Sequence, residues 1–225
     1  MKNLSVVIPV YNEENSILSL YQSLKNNLRF TKDYEIIFVN DGSTDNTLKN
    51  LRRIKDKSVK IINFDKNLGQ SAALTTGFHA AIGKKVITMD GDLQNDPSDI
   101  KNLLSKLDQG YDVVCGWRHE RKDPFIIKRL PSRLFNMAIG VLFGVGIHDT
   151  SCTLRAYRKG AAKALCCLKP GYHRFIPVLL SMKGFRVGET RVKHNARLHG
   201  RAKYNSPLRF FEGMVTLVKI KMSCC

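Results

Sequence analysis

Residues 86–97 read VITMDGDLQNDP, an apolar run that ends at Met89 and then turns abruptly polar. Two interpretations fit this stretch taken alone. Asp, Gly and Asn are ordinary turn formers, so the polar part can be a turn after a buried strand. It can equally be a ligand site, because open α/β folds place their ligands at the carboxyl ends of strands.

The segments around this stretch alternate between short apolar strands and helices. The predicted strands are 4–10, 34–40, 59–64, 85–90 and 111–117. The predicted helices include one with Ile17, Leu20, Leu24 and Leu28 on a single stripe, a short basic one, and those at 70–82 and 97–109. The alternation predicts an α/β fold with a mostly parallel, doubly wound sheet over residues 1–117.

Beyond residue 117 the pattern changes. Amphipathic helices predominate there, with strands predicted near 149–157 and 185–193. Neither an internal repeat nor a low-complexity linker separates the two parts, so we expect one continuous domain.

The charge of the chain is unevenly distributed. The net charge is +18, yet residues 1–115 carry 15 Lys and Arg against 14 Asp and Glu, whereas residues 116–225 carry 22 against 5. A half this basic is expected to meet an anion: nucleic acid, a phosphorylated small molecule or an acidic membrane surface. A solvated basic face is the alternative.

The cysteines and the apolar segments of the sequence indicate in which cellular compartment the protein is expected. The six cysteines show neither a CxxC pair nor zinc-type spacing, so we expect reduced thiols in a cytosolic protein. The N-terminus, MKNLSVVIPV, does not have the pattern of a signal peptide. The longest apolar run, residues 138–147, is too short and too rich in Gly to span a bilayer.

The usual phosphate-binding glycine motifs are missing. The first strand is not followed by G-x-G-x-x-G, and G-x-x-x-x-G-K-[ST] is absent from the sequence. A bound diphosphate would therefore need another counter-charge. In an extended segment Asp90, Asp92 and Gln94 would project to the same side, with Gly91 allowing close approach of the backbone. Oxygen ligands of this kind suit Mg²⁺ or Mn²⁺, which favours the metal interpretation.

Four motifs, VVIPVYNEE, FVNDGSTDNT, NLGQSAAL and MDGDLQNDP, resemble those of the inverting GT-A glycosyltransferases. Within them the chain looks most like the dolichyl-phosphate mannose and polyprenyl-phosphate glucose synthase group, whose metal motif is D-x-D-L-Q-x-P-P. Here Asp96 replaces the first proline. The segments KRLPSRLFN, DTSCTLRAYRK, HRFIPVLL and VKHNARLHGRAKY also match, so the resemblance covers about residues 4–205.

The resemblance implies a GT-A fold, a Rossmann-like three-layer sandwich around a mostly parallel, mixed sheet. Residues 1–117 would form the nucleotide-sugar-binding half and residues 118–205 the acceptor-binding half of one domain. Residues 206–225 would form an amphipathic helix, either facing a membrane or packed on the domain. Its apolar face would comprise Phe210, Phe211, Met214, Val215 and Val218.

The implied activity is transfer of a sugar, with inversion, from a GDP-mannose or UDP-glucose type of donor to a polyprenyl or dolichyl phosphate, with Mg²⁺ or Mn²⁺ as cofactor. The expected location is peripheral, at the cytoplasmic face of an anionic membrane, with an anchoring subunit or further transmembrane helices as potential partners. Transfer to a sugar or protein hydroxyl is the alternative within the family. A basic nucleic-acid-binding module is the alternative from another class; it is disfavoured because the basic residues are scattered and only 8% of residues are aromatic.

The resemblance also assigns individual residues. The donor-side residues would be Pro9, Tyr11 and Glu13 at the base and ribose, Asp41 at the nucleotide, and Asp90, Asp92 and Gln94 at the metal. The phosphate-side residues would be Arg118 on the donor phosphate, Lys128 and Ser132 on the acceptor phosphate, and Arg197 and Lys203 in a basic loop. Asp92, Arg118, Lys128 and Arg197 would carry the catalysis.

Some assignments have structural alternatives or depart from the family pattern. Asp41 can instead cap a turn or helix, and Glu13 can complement a helix dipole. Lys128 stands where the family often has Arg and lacks its bidentate fork. A lipid phosphate is already an anion near pH 7 and needs no general base. We therefore hypothesise that Asp149 organises basic residues or the acceptor pocket and carries no proton.

Overall fold

The computed structural model describes residues 2–119, 139–140, 143–196 and, near the C-terminus, residues 213, 215–217, 219–220 and 222. Its centre is a seven-stranded sheet with the strand order β3-β2-β1-β4-β6-β5-β7. The strands are β1 (Leu4–Val10), β2 (Tyr34–Asn40), β3 (Val59–Asn63), β4 (Lys85–Thr88), β5 (Val113–Trp117), β6 (Arg155–Arg158) and β7 (Val187–Arg191). All run in one direction except β6, which is antiparallel to both β4 and β5. The predicted mostly parallel, mixed sheet is confirmed.

Helices cover both faces of this sheet. They are α1 (Ile17–Asn27), α2 (Thr47–Arg52), α3 (Gln70–Ala80), α4 (Ile100–Asp108), α5 (Lys159–Lys163) and α6 (Ile176–Met182), with 3-10 turns at Pro97–Asp99 and Tyr172–Phe175. Side chains of β1 alternate between the faces. Val6 and Ile8 join the core that contains α1 and α4, whereas Val7 joins the core that contains α3 and α6. The architecture is therefore three-layered.

The predicted elements match most of the observed ones. Ile17, Leu20, Leu24 and Leu28, the predicted apolar stripe, are all 0% exposed. The helix predicted at 97–109 begins as the 3-10 turn and continues as α4.

Several predicted strands were too long by one or more residues, and two of them lie beside the site described below. β4 ends at Thr88 and not at residue 90, because the Asp90 N–H donates to the Asn95 side chain (3.1 Å) and leaves the ladder. The strand predicted near 149–157 begins only at Arg155, since the residues before it are held by side chains: the Thr153 carbonyl, for example, accepts a hydrogen bond from the Thr88 hydroxyl (2.7 Å).

The described residues of the C-terminal segment are helical and pack on the domain. Leu217 and Ile220 are buried in a small core with Phe175 and Val178, whereas Val215 is 52% exposed. The other members of the predicted apolar face, Phe210, Phe211, Met214 and Val218, lie outside the described residues. Within the described part of the chain, no helix is both long enough and apolar enough to cross a membrane.

Helix α3 lies unusually close to β1 at a glycine. A Cβ atom placed on Gly77 would come within 2.1 Å of Val7 Cγ1, so Gly77→Ala should lower the free energy of unfolding by about 1–3 kcal/mol although alanine is the better helix former. Urea denaturation checks this. Gly160→Ala in α5 is the matched control, because a Cβ there meets nothing within 4 Å. This substitution should raise the free energy of unfolding by about 0.5–1 kcal/mol. An equal increase in the free energy of unfolding for both substitutions would contradict the close approach of α3 to β1.

Candidate active site

Polar residues gather at the edge of the sheet where the parallel strands end. β1 and β2 pair in register up to Val10 and Asn40, so both strands end at the same level. The Asp41 N–H donates to the Val10 carbonyl (2.8 Å) and holds the two strand ends together. Because β6 is antiparallel, its first residue, Arg155, lies at this same edge. Residues from both halves of the chain therefore meet here, as they do in other α/β sites.

Asp90 is the most connected of these side chains. One carboxylate oxygen accepts a hydrogen bond from Gln70 at the start of α3 (3.1 Å), and the other accepts one from the Thr153 hydroxyl (2.5 Å). Its backbone N–H donates to Oδ1 of Asn95 (3.1 Å). The orientation of this carboxylate is therefore fixed by two separate parts of the chain, and the backbone of Asp90 is held by a residue of its own loop.

Asp90 and Asp92 form a pair of like charges with little access to water. Burial and the charge of Asp92 raise the pKa of Asp90 to about 6, while the Thr153 hydroxyl and the charges of Arg118 and Arg155 act in the opposite direction. Asp92 is only 7% exposed. A cation bound between two such carboxylates would relieve both the repulsion and the loss of hydration.

The donor set fits a hard divalent cation that is shared with a substrate. Within the described residues, no group of three or more His, Cys, Asp and Glu side chains is placed to hold a metal ion. The protein would therefore supply Asp90, Asp92 and the amide oxygen of Gln94. Mg²⁺ and Mn²⁺ are commonly bound in this way, with one or two carboxylates and with phosphate oxygens completing the shell.

The loop that carries these residues, residues 90–96, is bent. The expected extended geometry was wrong: Leu93 has φ of 63°, in the left-handed region, and residues 91–93 form a bend. Such a conformation in a bulky residue is strained and is typical of functional sites. The predicted close approach at Gly91 is confirmed, because a Cβ there would lie 2.8 Å from Val10 Cγ1.

The Asp41 side chain holds the loop that leads into α3, and that loop lies further along the chain than the turn or helix that Asp41 was expected to cap. Its carboxylate accepts hydrogen bonds from the backbone N–H groups of Leu68 (2.7 Å) and Gly69 (3.0 Å), immediately before α3. Burial raises the pKa of Asp41, and these two N–H groups oppose the rise. Asp41 thereby fixes the start of α3, from which Gln70 reaches Asp90. A contact between Asp41 and a nucleotide stays a prediction.

The residues predicted at the base and ribose follow the end of β1. Pro9 belongs to β1, and Tyr11 is half-buried just after it. Glu13 lies before α1, which has no acidic residue in its first turn, so the helix-dipole interpretation was wrong. Its carboxylate accepts a hydrogen bond from the Ser16 hydroxyl (2.9 Å), which also reaches the Gly91 carbonyl (2.8 Å). The β1–α1 connection thus touches the 90–96 loop.

Arg118, the residue after β5, forms a bidentate ion pair. Its Nε and Nη2 atoms donate to the two carboxylate oxygens of Asp149 at 2.7 and 2.9 Å, and Nη2 also donates to the Ser151 hydroxyl at 2.8 Å. Burial disfavours the charged guanidinium, but the Asp149 hydrogen bonds and charge prevail and raise the pKa of Arg118. Asp149 therefore organises a basic residue, as hypothesised.

The remaining predicted site residues cannot be placed. Lys128, Ser132, Arg197 and Lys203 lie outside the described residues, and their roles stay predictions.

Several residues at this edge were missed by the sequence analysis. Gln70, Thr153 and Asn95 all contact Asp90. Each of them lies within one of the sequence segments that resemble the glycosyltransferase motifs. The signal that could have identified them is a polar residue close to the end of a predicted strand. Arg155, 1% exposed, donates to the carbonyls of Thr150 (2.6 Å) and His173 (3.2 Å). The only feature of the sequence that could have indicated a role for Arg155 is that it is a charged residue within an apolar strand.

A three-layer fold with paired aspartates after the fourth strand and an ion-paired arginine after the fifth is the arrangement expected for a GT-A type of protein. Residues 5–166 match the family model described as glycosyl transferase family 2. The chain belongs to this family, as the resemblance implied.

Curated relatives are similar over most of the chain. It is 39% identical over 208 residues to dodecaprenyl-phosphate galacturonate synthase from Rhizobium johnstonii, covering 89% of this chain and 61% of the relative. It is 40% identical over 219 residues to undecaprenyl-phosphate 4-deoxy-4-formamido-L-arabinose transferase from Pseudomonas aeruginosa, covering 96% of this chain and 64% of the relative. The chain thus spans less than two thirds of the length of these relatives.

Solved structures share the fold. Glucosyl-3-phosphoglycerate synthase from Mycobacterium tuberculosis, in complex with Mn²⁺, UDP and phosphoglyceric acid, superposes with a TM-score of 0.72 at 19% identity, covering 97% of this chain and 78% of that chain. TarS from S. aureus, in complex with UDP-GlcNAc, gives 0.67 at 21% identity, covering 96% and 65%. At this level of identity the likeness concerns the fold alone, and the expected GT-A fold is confirmed.

The repulsion between Asp90 and Asp92 can be measured without substrate. In the presence of a chelator, Asp92→Asn should raise the melting temperature by about 2–4 °C, the shift expected for roughly 1 kcal/mol in a domain of this size. A carboxyl whose pKa is raised on folding destabilises the fold increasingly as pH rises through that pKa. The gain should therefore be larger at pH 8 than at pH 5, where Asp90 is mostly protonated. Asp65→Asn, which removes an exposed carboxylate, should leave the melting temperature unchanged. A wild-type melting temperature for Asp92→Asn at pH 8 would argue against the repulsion.

Proposed function

We propose that this chain is the catalytic domain of an inverting glycosyltransferase that moves a sugar from a nucleoside diphosphate to a polyprenyl phosphate. The observation that supports it most is the Asp90–Asp92 pair of carboxylates after β4, in a family 2 chain that is 39–40% identical to two enzymes named for polyprenyl-phosphate substrates. The pair would give a place for the donor diphosphate, and the names of the relatives support the acceptor class.

On the donor side, Asp90, Asp92 and Gln94 would hold Mg²⁺ or Mn²⁺, which when bound neutralises charge on the leaving diphosphate. Gln70 and Thr153 keep the Asp90 carboxylate in one orientation. A ligand fixed in this way loses little freedom when the donor binds. Pro9, Tyr11, Glu13 and Asp41 are proposed to surround the nucleoside, since their strands end at this edge.

Arg118 would stabilise the negative charge that grows on the diphosphate as the glycosidic bond breaks. It is fixed by Asp149 and Ser151, and its charge is near enough to Asp90 to affect the pKa of that carboxyl. A charge held in place before the reaction stabilises the transition state without the cost of reorganisation.

The acceptor would attack as an anion, so no side chain has to remove a proton. Asp149 is an acidic residue of the second half that contacts Arg118, and both of its oxygens accept hydrogen bonds from that guanidinium. This arrangement suits a positioning residue better than a base. Lys128, Ser132, Arg197 and Lys203 are proposed to bind phosphate groups, on the basis of the sequence resemblance alone.

The donor sugar is proposed to be of the GDP-mannose or UDP-glucose type, and the names of the relatives add galacturonate and 4-deoxy-4-formamido-L-arabinose to the sugars worth testing. We also propose that the protein acts peripherally at the cytoplasmic face of an anionic membrane. The 22 basic against 5 acidic residues of 116–225 would face lipid head groups and substrate phosphates.

A donor and acceptor screen tests the function. We expect transfer to a short polyprenyl phosphate from one of these nucleotide sugars, dependent on Mg²⁺ or Mn²⁺ and abolished by chelator. Asp92→Ala should remove the Mn²⁺-dependent binding of the nucleotide, measured by calorimetry, while the protein stays folded. Asp65→Ala is the matched control for loss of one carboxylate. Efficient transfer to a free sugar or protein hydroxyl, with polyprenyl phosphate inert, would overturn the proposal.

The acceptor segment can be tested separately. Lys128→Ala should raise KM for polyprenyl phosphate about tenfold or more and leave donor affinity nearly unchanged, because a buried phosphate contact with a charged donor contributes about 1.5–3 kcal/mol. Steady-state kinetics with each substrate varied checks this. Lys122→Ala, at a lysine six positions earlier in the sequence to which no role is assigned, should change KM by less than twofold. An equal effect of both substitutions would mean that only the overall charge matters.

A further inference from the structure

The segment after β7 pairs with the 90–96 loop. His194 forms an antiparallel bridge with Asn95, and the Asn195 N–H donates to the Gln94 carbonyl (2.9 Å). These contacts join residues about a hundred positions apart in the sequence. The backbone of a proposed metal ligand, Gln94, is therefore held by a segment from the other half of the domain.

This segment, residues 193–195, is itself anchored to the start of α4. The Lys193 N–H donates to a carboxylate oxygen of Asp99 (2.7 Å), and Asp99 is only 3% exposed. The Lys193 ammonium lies 3.6 Å from Asp96, but the lysine side chain is 65% exposed, and such ion pairs contribute little. The backbone hydrogen bonds are therefore the stronger part of the anchor.

Asp96 connects the anchor to a departure from the family motif. It stands where the family has the first of two prolines, and its carboxylate accepts the Ser98 N–H (2.8 Å) besides meeting Lys193. A proline at this position would restrict the backbone by its ring. In this chain the aspartate instead caps the following turn and forms an ion pair with the 193–195 segment.

Asn95 transmits the position of this segment to the carboxylate site. It is 4% exposed, its backbone is bridged to His194, and its side-chain oxygen accepts hydrogen bonds from the Asp90 N–H (3.1 Å) and the Thr153 hydroxyl (3.4 Å). A shift of residue 194 would therefore move Asn95, and with it the hydrogen bond that holds the backbone of Asp90.

We propose that the 193–195 segment and Asn95 are positioning residues that hold the 90–96 loop in the conformation that binds a metal–diphosphate. The proposal rests on the proposed function, in that it names the residues that support the same site. The loop needs such support because it contains a left-handed Leu93 and two carboxylates that repel each other. Residues that orient metal ligands commonly change metal affinity about 10–100-fold when they are removed.

A matched pair of substitutions at one exposed residue tests this. Asn195→Pro deletes the N–H that donates to Gln94, whereas Asn195→Ala keeps it; the side chain is exposed, so its loss alone should matter little. Asn195→Pro should weaken Mn²⁺-dependent binding of UDP about tenfold. Asn195→Ala should stay within twofold of wild type. The far-UV circular dichroism of all three proteins should be the same, which a general loss of structure would not allow.

Amide hydrogen exchange in the metal-free protein gives a readout that does not depend on the function. Asn195→Pro should lose protection at residues 90–95 relative to Asn195→Ala. If wild type binds neither UDP nor GDP in the presence of Mn²⁺, the proposed function fails, while the exchange rates still decide whether the segment holds the loop. Unchanged exchange at 90–95, or wild-type Mn²⁺–UDP affinity in Asn195→Pro, would overturn the inference. Should Asn195→Pro fail to fold, Asp99→Ala against Asp99→Asn repeats the comparison, because asparagine can still accept the Lys193 N–H.

Discussion

The half-buried carboxylate of Asp90 is the constraint around which the site is organised. It follows β4 and accepts hydrogen bonds from Gln70 at the start of α3 and from Thr153 before β6, while the backbone N–H of Asp90 donates to Asn95. A carboxylate with restricted access to water is costly unless its oxygens accept hydrogen bonds, so these two donors stabilise it in the fold. The same carboxylate repels Asp92. A site of this kind lowers the stability of the protein without a metal, and binding of a cation would restore that stability.

Both halves of the chain contribute residues to the site because β6 is antiparallel to its neighbours. Were β6 parallel like its neighbours, its first residue would lie at the opposite edge of the sheet. Instead the chain enters β6 at the site, which brings Thr153 to Asp90 and places Asp149 beside Arg118. Arg155, at the start of the strand, then fixes the carbonyls of Thr150 and His173.

The sequence predicted the layers and strands well, because burial on two faces leaves uninterrupted β-branched runs and burial on one face leaves a helical stripe. It predicted the pair Asp90 and Asp92 because the polar residues follow a strand directly. It could not predict the direction of β6, since four residues carry no periodic signal of orientation. Nor could it find the Arg118–Asp149 pair or the Asn95–His194 bridge, whose partners are distant in sequence and are brought together only by the sheet. The bend at Leu93 was missed because an extended loop was assumed and leucine seldom adopts a positive φ.

The balance of charge at this edge favours a metal-dependent donor site over one built from arginines alone. Among the contacts in the described part of the site, Arg118 is paired with Asp149, and the charges of Arg118 and Arg155 act on Asp90; Asp92 and Glu13 are two further carboxylates at this edge. A nucleoside diphosphate approaching such a surface would be repelled, and a divalent cation reverses the sign of the local field. The acceptor phosphate then has to be attracted by other means. In the proposed reaction the excess of basic residues in 116–225 would provide them, from the half of the chain that the donor-side carboxylates do not occupy. The donor phosphates would thus be neutralised by a metal together with Arg118, and the acceptor phosphate by other basic side chains, so that two anions can approach each other within one site.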